Sequence, residues 1–204
     1  MTTSWIFPTP IGTARPPEDL AETLSEYLRH LTLTLMEQHP EGWGHDWAEG
    51  CGIWNSHCVR ESILDSGAPL MGILRGWIRD RVADFAKSIG VAEGYEVVID
   101  DSWLNIVKPG QFQEYHIHGN CHFSGCFYID IPKDSGDFVV RNPTRVVYFP
   151  DLDDDAGLAE EEATTPKAGD LVLFPSWLDH RVAQNLSEKW RFSLAFNARM
   201  ELTE

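Results

Sequence analysis

Between Tyr95 and Ala198 the apolar residues recur with a period of two, which confines the second half of this chain to β-structure. The runs YEVVIDDSWLNIV (95–107), FSGCFYIDI (123–131), DFVV (137–140), TRVVYF (144–149), DLVLF (170–174) and WRFSLAFNA (190–198) are rich in β-branched and aromatic residues. Gly, Pro and Asp bound them, and no helical period intervenes. So many short strands in about a hundred residues fit an antiparallel barrel or jelly roll.

The first half reads differently. Ser4–Gly12 (SWIFPTPIG) reads as a short strand closed by prolines and docked on a sheet edge, where a missing N–H is tolerated. A helix is expected from about Pro16 or Pro17, with Leu20, Leu24, Tyr27, Leu28, Leu31 and Leu35 on one face, ending before Pro40. A second helix is expected from about Pro69 to Ile89. Its buried side would carry Leu70, Ile73, Leu74, Trp77, Val82, Phe85 and Ile89, with Gly90 as the stop and Arg75, Arg79 and Arg81 toward solvent. Between them, His39–Ser66 reads as an ordered irregular segment, with Trp43, Trp47 and Trp54 among glycines and with His45 and His57 as surface or core-edge residues. The fold class is therefore mainly β with helices: a jelly-roll core over 95–204, and a strand and helical layer over 1–94 packed outside it. At 204 residues this suits one domain.

The candidate chemistry lies in Gln113–Gly125 (QEYHIHGNCHFSG), which holds His116, His118 and His122, three of the chain's eight histidines. Residues i and i+2 of a strand share a face, so an extended Tyr115–Gly119 aims His116 and His118 the same way and Ile117 the other. His180 follows GDLVLFPSWLDH, a strand and a proline turn, 64 residues after His116 (180 − 116). A barrel can bring these strand ends together at its mouth, which makes His116, His118 and His180 a candidate catalytic metal centre.

Gln113–Gly125, PKAGDLVLFPSWLDH and WRFSLAFN together resemble the 2-oxoglutarate/Fe(II)-dependent oxygenase superfamily, most closely a group of small bacterial and phage members. The resemblance covers Ser102–Asn197, and FPTPIG near the N-terminus is also similar to that group. It implies a double-stranded β-helix, Fe(II) as cofactor, 2-oxoglutarate as co-substrate and O₂ as oxidant. The implied activity is that of a dioxygenase hydroxylating a small-molecule, amino-acid or peptide substrate. In that superfamily an HxD or HxE and a distal His hold the iron, and a basic residue about ten positions further, often in Arg-x-Ser, binds the co-substrate carboxylate. The matching residues here are His116, His180, Arg191 and Ser193, with Arg191 eleven positions after His180 (191 − 180). Asn105 and Tyr128 resemble the superfamily's further co-substrate contacts, although each can equally be a satisfied polar core residue.

The carboxylate position of HxD is occupied by His118. Either His118 is a third nitrogen ligand, or it turns away and water takes the place. Ligation is favoured, because the i+2 geometry that serves Asp serves His as well. A competing resemblance is to a metal-dependent cupin that does not use 2-oxoglutarate, with His122 as a fourth ligand and Trp177 where a glycine is usual. A non-enzymatic metal-binding barrel is a third class. The Arg-x-Ser after His180 separates the oxygenase from both. His122 itself is favoured as a loop or core histidine.

Composition narrows the partners. A net charge of −16 argues against nucleic acid or an anionic membrane. Much of it sits in Asp151–Glu162 (DLDDDAGLAEEE), read as a solvated loop. The four cysteines form no CxxC pair and no disulfide framework, no signal peptide is visible, and no apolar run reaches the ~20 residues of a membrane span. A cytoplasmic location is expected, and a homodimer stays open.

Overall fold

A computed structural model describes residues 8–42, 52–58, 62–144 and 159–203. Ten strands and two long helices follow one another as β1 (Gly12–Ala14), α1 (Glu18–Gln38), β2 (Trp54–Asn55), α2 (Pro69–Ser88), β3 (Tyr95–Val107), β4 (Gln113–His116), β5 (Phe123–Asp130), β6 (Phe138–Arg141), β7 (Glu161–Thr164), β8 (Leu171–Pro175), β9 (His180–Val182) and β10 (Arg191–Leu202). A single 3₁₀ turn, Ser56–Cys58, follows β2. The strands make two antiparallel sheets, one of six strands in the order β1-β8-β5-β10-β3-β2 and one of four in the order β4-β9-β6-β7. With both helices on the outer face of the larger sheet, this is the double-stranded β-helix that the strand runs imply.

Strand parity sorts the larger sheet into two faces. Leu104, Ile106, Phe127, Leu171, Leu173, Phe192, Leu194 and Phe196 face the helices and join Leu24, Leu28, Met71, Leu74, Ile78 and Val82 in one core. The opposite parity faces the smaller sheet, where Tyr128, Val172 and Phe174 meet Phe138, Val140 and Leu178 in a second, smaller core. Gly125 leaves room for the side chains of its cross-strand neighbours: a β-carbon there would lie 2.5 Å from the Phe196 ring and 2.8 Å from Leu173. Gly12 has the same role at the edge, where a β-carbon would meet the Phe85 ring at 2.8 Å.

Both helices lie where the sequence puts them, but the buried stripe of α2 is rotated. Met71, Leu74, Ile78, Val82, Phe85 and Ala86 are buried, whereas Ile73 is 51% exposed and Ile89 40%. Apolar residues flank this helix on both sides of its true stripe, so spacing alone does not choose between them. Its end is as expected: Gly90 adopts φ +92°, and the Val91 N–H donates to the Ala86 carbonyl at 3.0 Å. Of the N-terminal strand expected over Ser4–Gly12, residues 4–7 lie outside the described residues; among the described ones Pro8 and Pro10, which cannot donate to a ladder, are not in a strand, and β1 begins at Gly12. It does pair at an edge, with β8.

In the irregular segment, Trp54 is buried and its indole N–H donates to the His39 carbonyl at 2.8 Å, closing α1. Trp43, His45, Trp47 and the run 145–149 lie outside the described residues. So does most of the acidic run. Its last two residues, Glu161 and Glu162, are not loop but the start of edge strand β7, paired with β6. Among the described residues no helix is long and apolar enough to cross a membrane.

Replacing Gly125 by alanine drives a methyl group into the Phe196 ring, and overpacking of this kind costs about 1–3 kcal/mol. Urea unfolding should show that loss for Gly125→Ala. In Gly125→Ala/Phe196→Leu the combined loss should be smaller than the sum of the single losses, because the second change vacates the contested space.

Candidate metal centre

Strand β4 pairs with β9 in a register that sets His116 directly opposite His180. Directly opposed residues of an antiparallel pair hold their β-carbons about 4.5–5.5 Å apart, and the two rings converge to 4.3 Å between centroids. His118 joins them from just beyond the end of β4, its ring 5.2 Å from that of His180 and 5.1 Å from that of His116. The extended stretch expected over Tyr115–Gly119 is thus a strand only as far as His116. His118 is fixed instead by its own N–H, which donates to the Ser176 carbonyl at 2.9 Å. Ile117 does point away, 59% exposed.

One ring nitrogen from each histidine lies within 4.8 Å of the other two, the one such group among the described residues that could hold a metal ion. Their tautomers follow from their partners. His116 Nδ1 lies 2.8 Å from the Glu114 carbonyl and His180 Nδ1 lies 2.8 Å from the Leu178 carbonyl. A carbonyl only accepts, so both Nδ1 atoms carry the proton and both Nε2 atoms present a lone pair. His118 Nε2 lies 3.4 Å from His180 Nε2. Two nitrogens bound to one ion at ~2.1 Å stand ~3.0 Å apart at a right angle and ~3.4 Å apart at a tetrahedral one, so the spacing suits a shared ion.

Burial lowers the pKa of all three. His118 falls to about 4 and His180 to about 3, first through desolvation and then through the charge each would share with His116. His116 is lowered as well, again chiefly by burial. At neutral pH the three rings are uncharged, the form that binds metal. Phe174 packs 4.5 Å and Phe138 5.7 Å from the His180 ring, which walls that side with hydrocarbon.

The residues expected to bind a co-substrate stand together deeper in the same cavity. The β3–β10 register sets Asn105 opposite Ser193, and the β10–β5 register sets Ser193 opposite Tyr128, so the three form one row across the sheet. Arg191, two residues before Ser193, shares their face, and all four line the cavity that also holds His116, His118 and His180. Arg191 is 2% exposed. Its guanidinium carbon lies 5.3 Å from the centroid of the Tyr128 ring, and its Nε has no hydrogen-bond partner. Burial pushes both the Tyr128 phenol and the Cys126 thiol beside it upward, so neither supplies an anion at neutral pH. A buried cation without a counter-ion from these neighbours is a fitting cradle for a ligand carboxylate.

Among the lining residues that the sequence reading did not single out are Trp103 and Cys126. Trp103 lies 5.7 Å from the His118 ring and, on its other side, 4.5 Å from His57. Cys126 lines the cavity next to Tyr128. Parity was the available signal, since Trp103 is two residues from Asn105 and Cys126 two from Tyr128. His122 is not with the other histidines: it is exposed, and its Nδ1 accepts the Met200 N–H at 3.0 Å. The four-ligand cupin arrangement therefore loses its fourth ligand to a backbone contact with β10.

Residues 101–197 match the family model described as "Putative 2OG-Fe(II) oxygenase", almost the same span as the resemblance read from Ser102–Asn197. The fold is similar to that of a prolyl-4-hydroxylase from Pseudomonas putida, at TM-score 0.62 and 17% identity over 94% of this chain and 92% of that one. It is also similar to AviO1 from Streptomyces viridochromogenes, at TM-score 0.61 and 16% identity over 94% and 90%. A third similar structure is HygX from Streptomyces hygroscopicus with nickel and 2-oxoglutarate bound, at 0.60 and 14% over 94% and 83%. No curated protein matches the sequence. The likeness to the 2-oxoglutarate/Fe(II)-dependent oxygenases is thus one of sequence over 101–197 and of fold over nearly the whole chain.

If the three imidazoles hold one ion, His116→Ala and His180→Ala should each abolish stoichiometric Fe(II) binding while the barrel remains folded. His118→Ala should weaken binding comparably, and His118→Asp should retain it by supplying a carboxylate at the same place. Metal analysis of anaerobically loaded protein checks this, and wild-type occupancy in His118→Ala would reduce the centre to two histidines.

Proposed function

From this likeness we propose that the protein is a non-haem Fe(II)- and 2-oxoglutarate-dependent dioxygenase that hydroxylates a small-molecule, amino-acid or peptide substrate. The observation that supports it best is the buried guanidinium of Arg191, without a counter-ion from its cavity neighbours, in the same cavity as three uncharged imidazoles. Iron(II) would be held by His116, His118 and His180, and 2-oxoglutarate would set its distal carboxylate on Arg191 and Ser193. Bound together, these groups supply oxidative decarboxylation of the co-substrate by O₂ to succinate and CO₂, coupled to hydroxylation of the substrate.

The chain's own contributions follow from its side chains. Arg191 offers a planar fork of N–H donors to a carboxylate, and its burial makes that pairing strong because little water competes. The Ser193 hydroxyl donates to the same group from the same face. Tyr128 and Asn105, on the neighbouring strands, border the co-substrate and fix its orientation. The neutral imidazoles of His116 and His180 keep their Nε2 lone pairs unprotonated through the physiological range. Phe138, Phe174 and Leu178 exclude water behind His180.

The test is the affinity for 2-oxoglutarate, measured by calorimetry with Mn(II) in place of iron to avoid turnover. A carboxylate buried without its cation costs about 3–5 kcal/mol, a loss of more than a hundredfold. Arg191→Met should show that loss with metal binding intact, and Arg191→Lys should recover part of it. Ser193→Ala removes one hydrogen bond to a charged group, about 1.5–3 kcal/mol, and should do less. Unchanged affinity in Arg191→Met would falsify the co-substrate assignment.

A further inference from the structure

The face of the four-stranded sheet that points away from the histidines carries a cluster made from their sequence neighbours. Tyr115 precedes His116, while Asp179 and Arg181 flank His180, so strand alternation turns these side chains to the far side of the metal centre. The guanidinium of Arg141, on the neighbouring strand β6, connects them. Its carbon lies 3.6 Å from the centroid of the Tyr115 ring, its Nη1 3.4 Å from Asp179 Oδ2 and its Nη2 3.7 Å from Glu161 Oε1. Its backbone N–H also donates to the Asp179 carbonyl, at 2.9 Å. Arg181 closes the group from the other side, 5.3 Å from the Tyr115 centroid and 3.1 Å from Glu161 Oε2.

This cluster lies where the backbone ladder is weakest. Strand β4 is four residues long, stands at the edge of its sheet, and has an irregular register between Gln113 and His116. An edge strand with a bulge is free to twist and slip, and a slip of one residue would turn His116 to the outside. A guanidinium stacked on Tyr115 from a central strand supplies what the ladder lacks. The contact is close enough for a cation–π attraction and is shielded, the Arg141 side chain being 27% exposed.

We infer that Arg141 is a positioning residue for the metal centre: stacked on Tyr115 and paired with Asp179, it holds β4 against β9 so that His116 and His180 converge. The inference rests on reading the three histidines as metal ligands.

The test uses Co(II), whose visible spectrum reports the number and arrangement of its nitrogen ligands. Wild-type protein, Arg141→Ala, Arg141→Lys, Tyr115→Leu and the helix-surface control Arg79→Ala are titrated with Co(II), and the metal-free forms are melted. Groups that orient metal ligands from behind typically contribute 10–100-fold in affinity. Arg141→Ala and Tyr115→Leu should each lose that much Co(II) affinity and show an altered spectrum, while their metal-free melting transitions stay cooperative. Arg141→Lys, which keeps the charge without the planar fork, should fall between, and Arg79→Ala should match wild type. Wild-type affinity and spectrum in Arg141→Ala would overturn the inference. So would loss of the cooperative metal-free transition in both Arg141→Ala and Tyr115→Leu, since the cluster would then hold the fold and not the ligands. A wild-type protein that binds no Co(II) would overturn the metal reading itself.

Discussion

The pairing of His116 with His180 across β4 and β9 is the constraint from which the rest of the site follows. A β-ladder fixes the distance between opposite residues far more tightly than a loop can, and it leaves only the ring torsions to be settled. Each ring is then turned by one local hydrogen bond, to the carbonyl two residues before it. Those two bonds select the tautomer and aim Nε2 inward. Burial, with hydrocarbon from Phe138 and Phe174 beside His180, keeps the pair from taking up protons, so the rings stay uncharged. The result is a preorganised pair of donors built by strand register.

The same logic explains what the sequence revealed. Strand runs such as 95–107 were legible to the residue, because a half-buried strand writes its period directly into the chain. The candidacy of His116, His118 and His180 was legible from spacing and from the likeness to known oxygenases, but His118 joins the other two from beyond the strand end and not by strand parity. The buried face of α2 was partly misjudged because Ile73 and Ile89 extend its apolar surface beyond the stripe that meets the sheet. Which of two overlapping apolar stripes is buried depends on where Phe85 finds Gly12 and where Met71 and Ile78 meet the core, and these are long-range facts. Trp103 and Cys126 were missed for a different reason. Both are apolar or weakly polar residues in a strand, and only their parity with Asn105 and Tyr128 separates a cavity wall from a core position.

Charge is distributed unevenly between surface and interior. The chain carries a net −16, yet the one arginine among its largest fully buried side chains, Arg191, points into a cavity whose neighbouring thiol and phenol are both neutral. A buried guanidinium is costly unless an anion meets it. In the opposite case, on the outer face of the small sheet, Arg141 and Arg181 each meet a carboxylate, Glu161 serving both. Glu161 lies at the end of the acidic run, so part of that run is used as counter-charge and is not simply solvated. Arg141 and Arg181 thus have carboxylate partners on the outer face, whereas the buried Arg191 has none from the thiol and phenol beside it.

His118 tests how far a metal centre of this kind depends on its strand. It lies past the end of β4, and two loops hold it in place. The His118 N–H reaches the Ser176 carbonyl, the Ser176 N–H reaches the His122 carbonyl, and the Ser176 hydroxyl donates to the Cys121 carbonyl at 2.5 Å. The buried Ser176 thus ties the segment carrying His118 to the turn that leads to His180. A carboxylate at this position would bring a negative charge and a short reach. An imidazole reaches further but brings no charge, so an ion held by His116, His118 and His180 keeps its full positive charge. That excess would have to be offset by anions entering the cavity, and under the function proposed above a dicarboxylate co-substrate on Arg191 would do so from within.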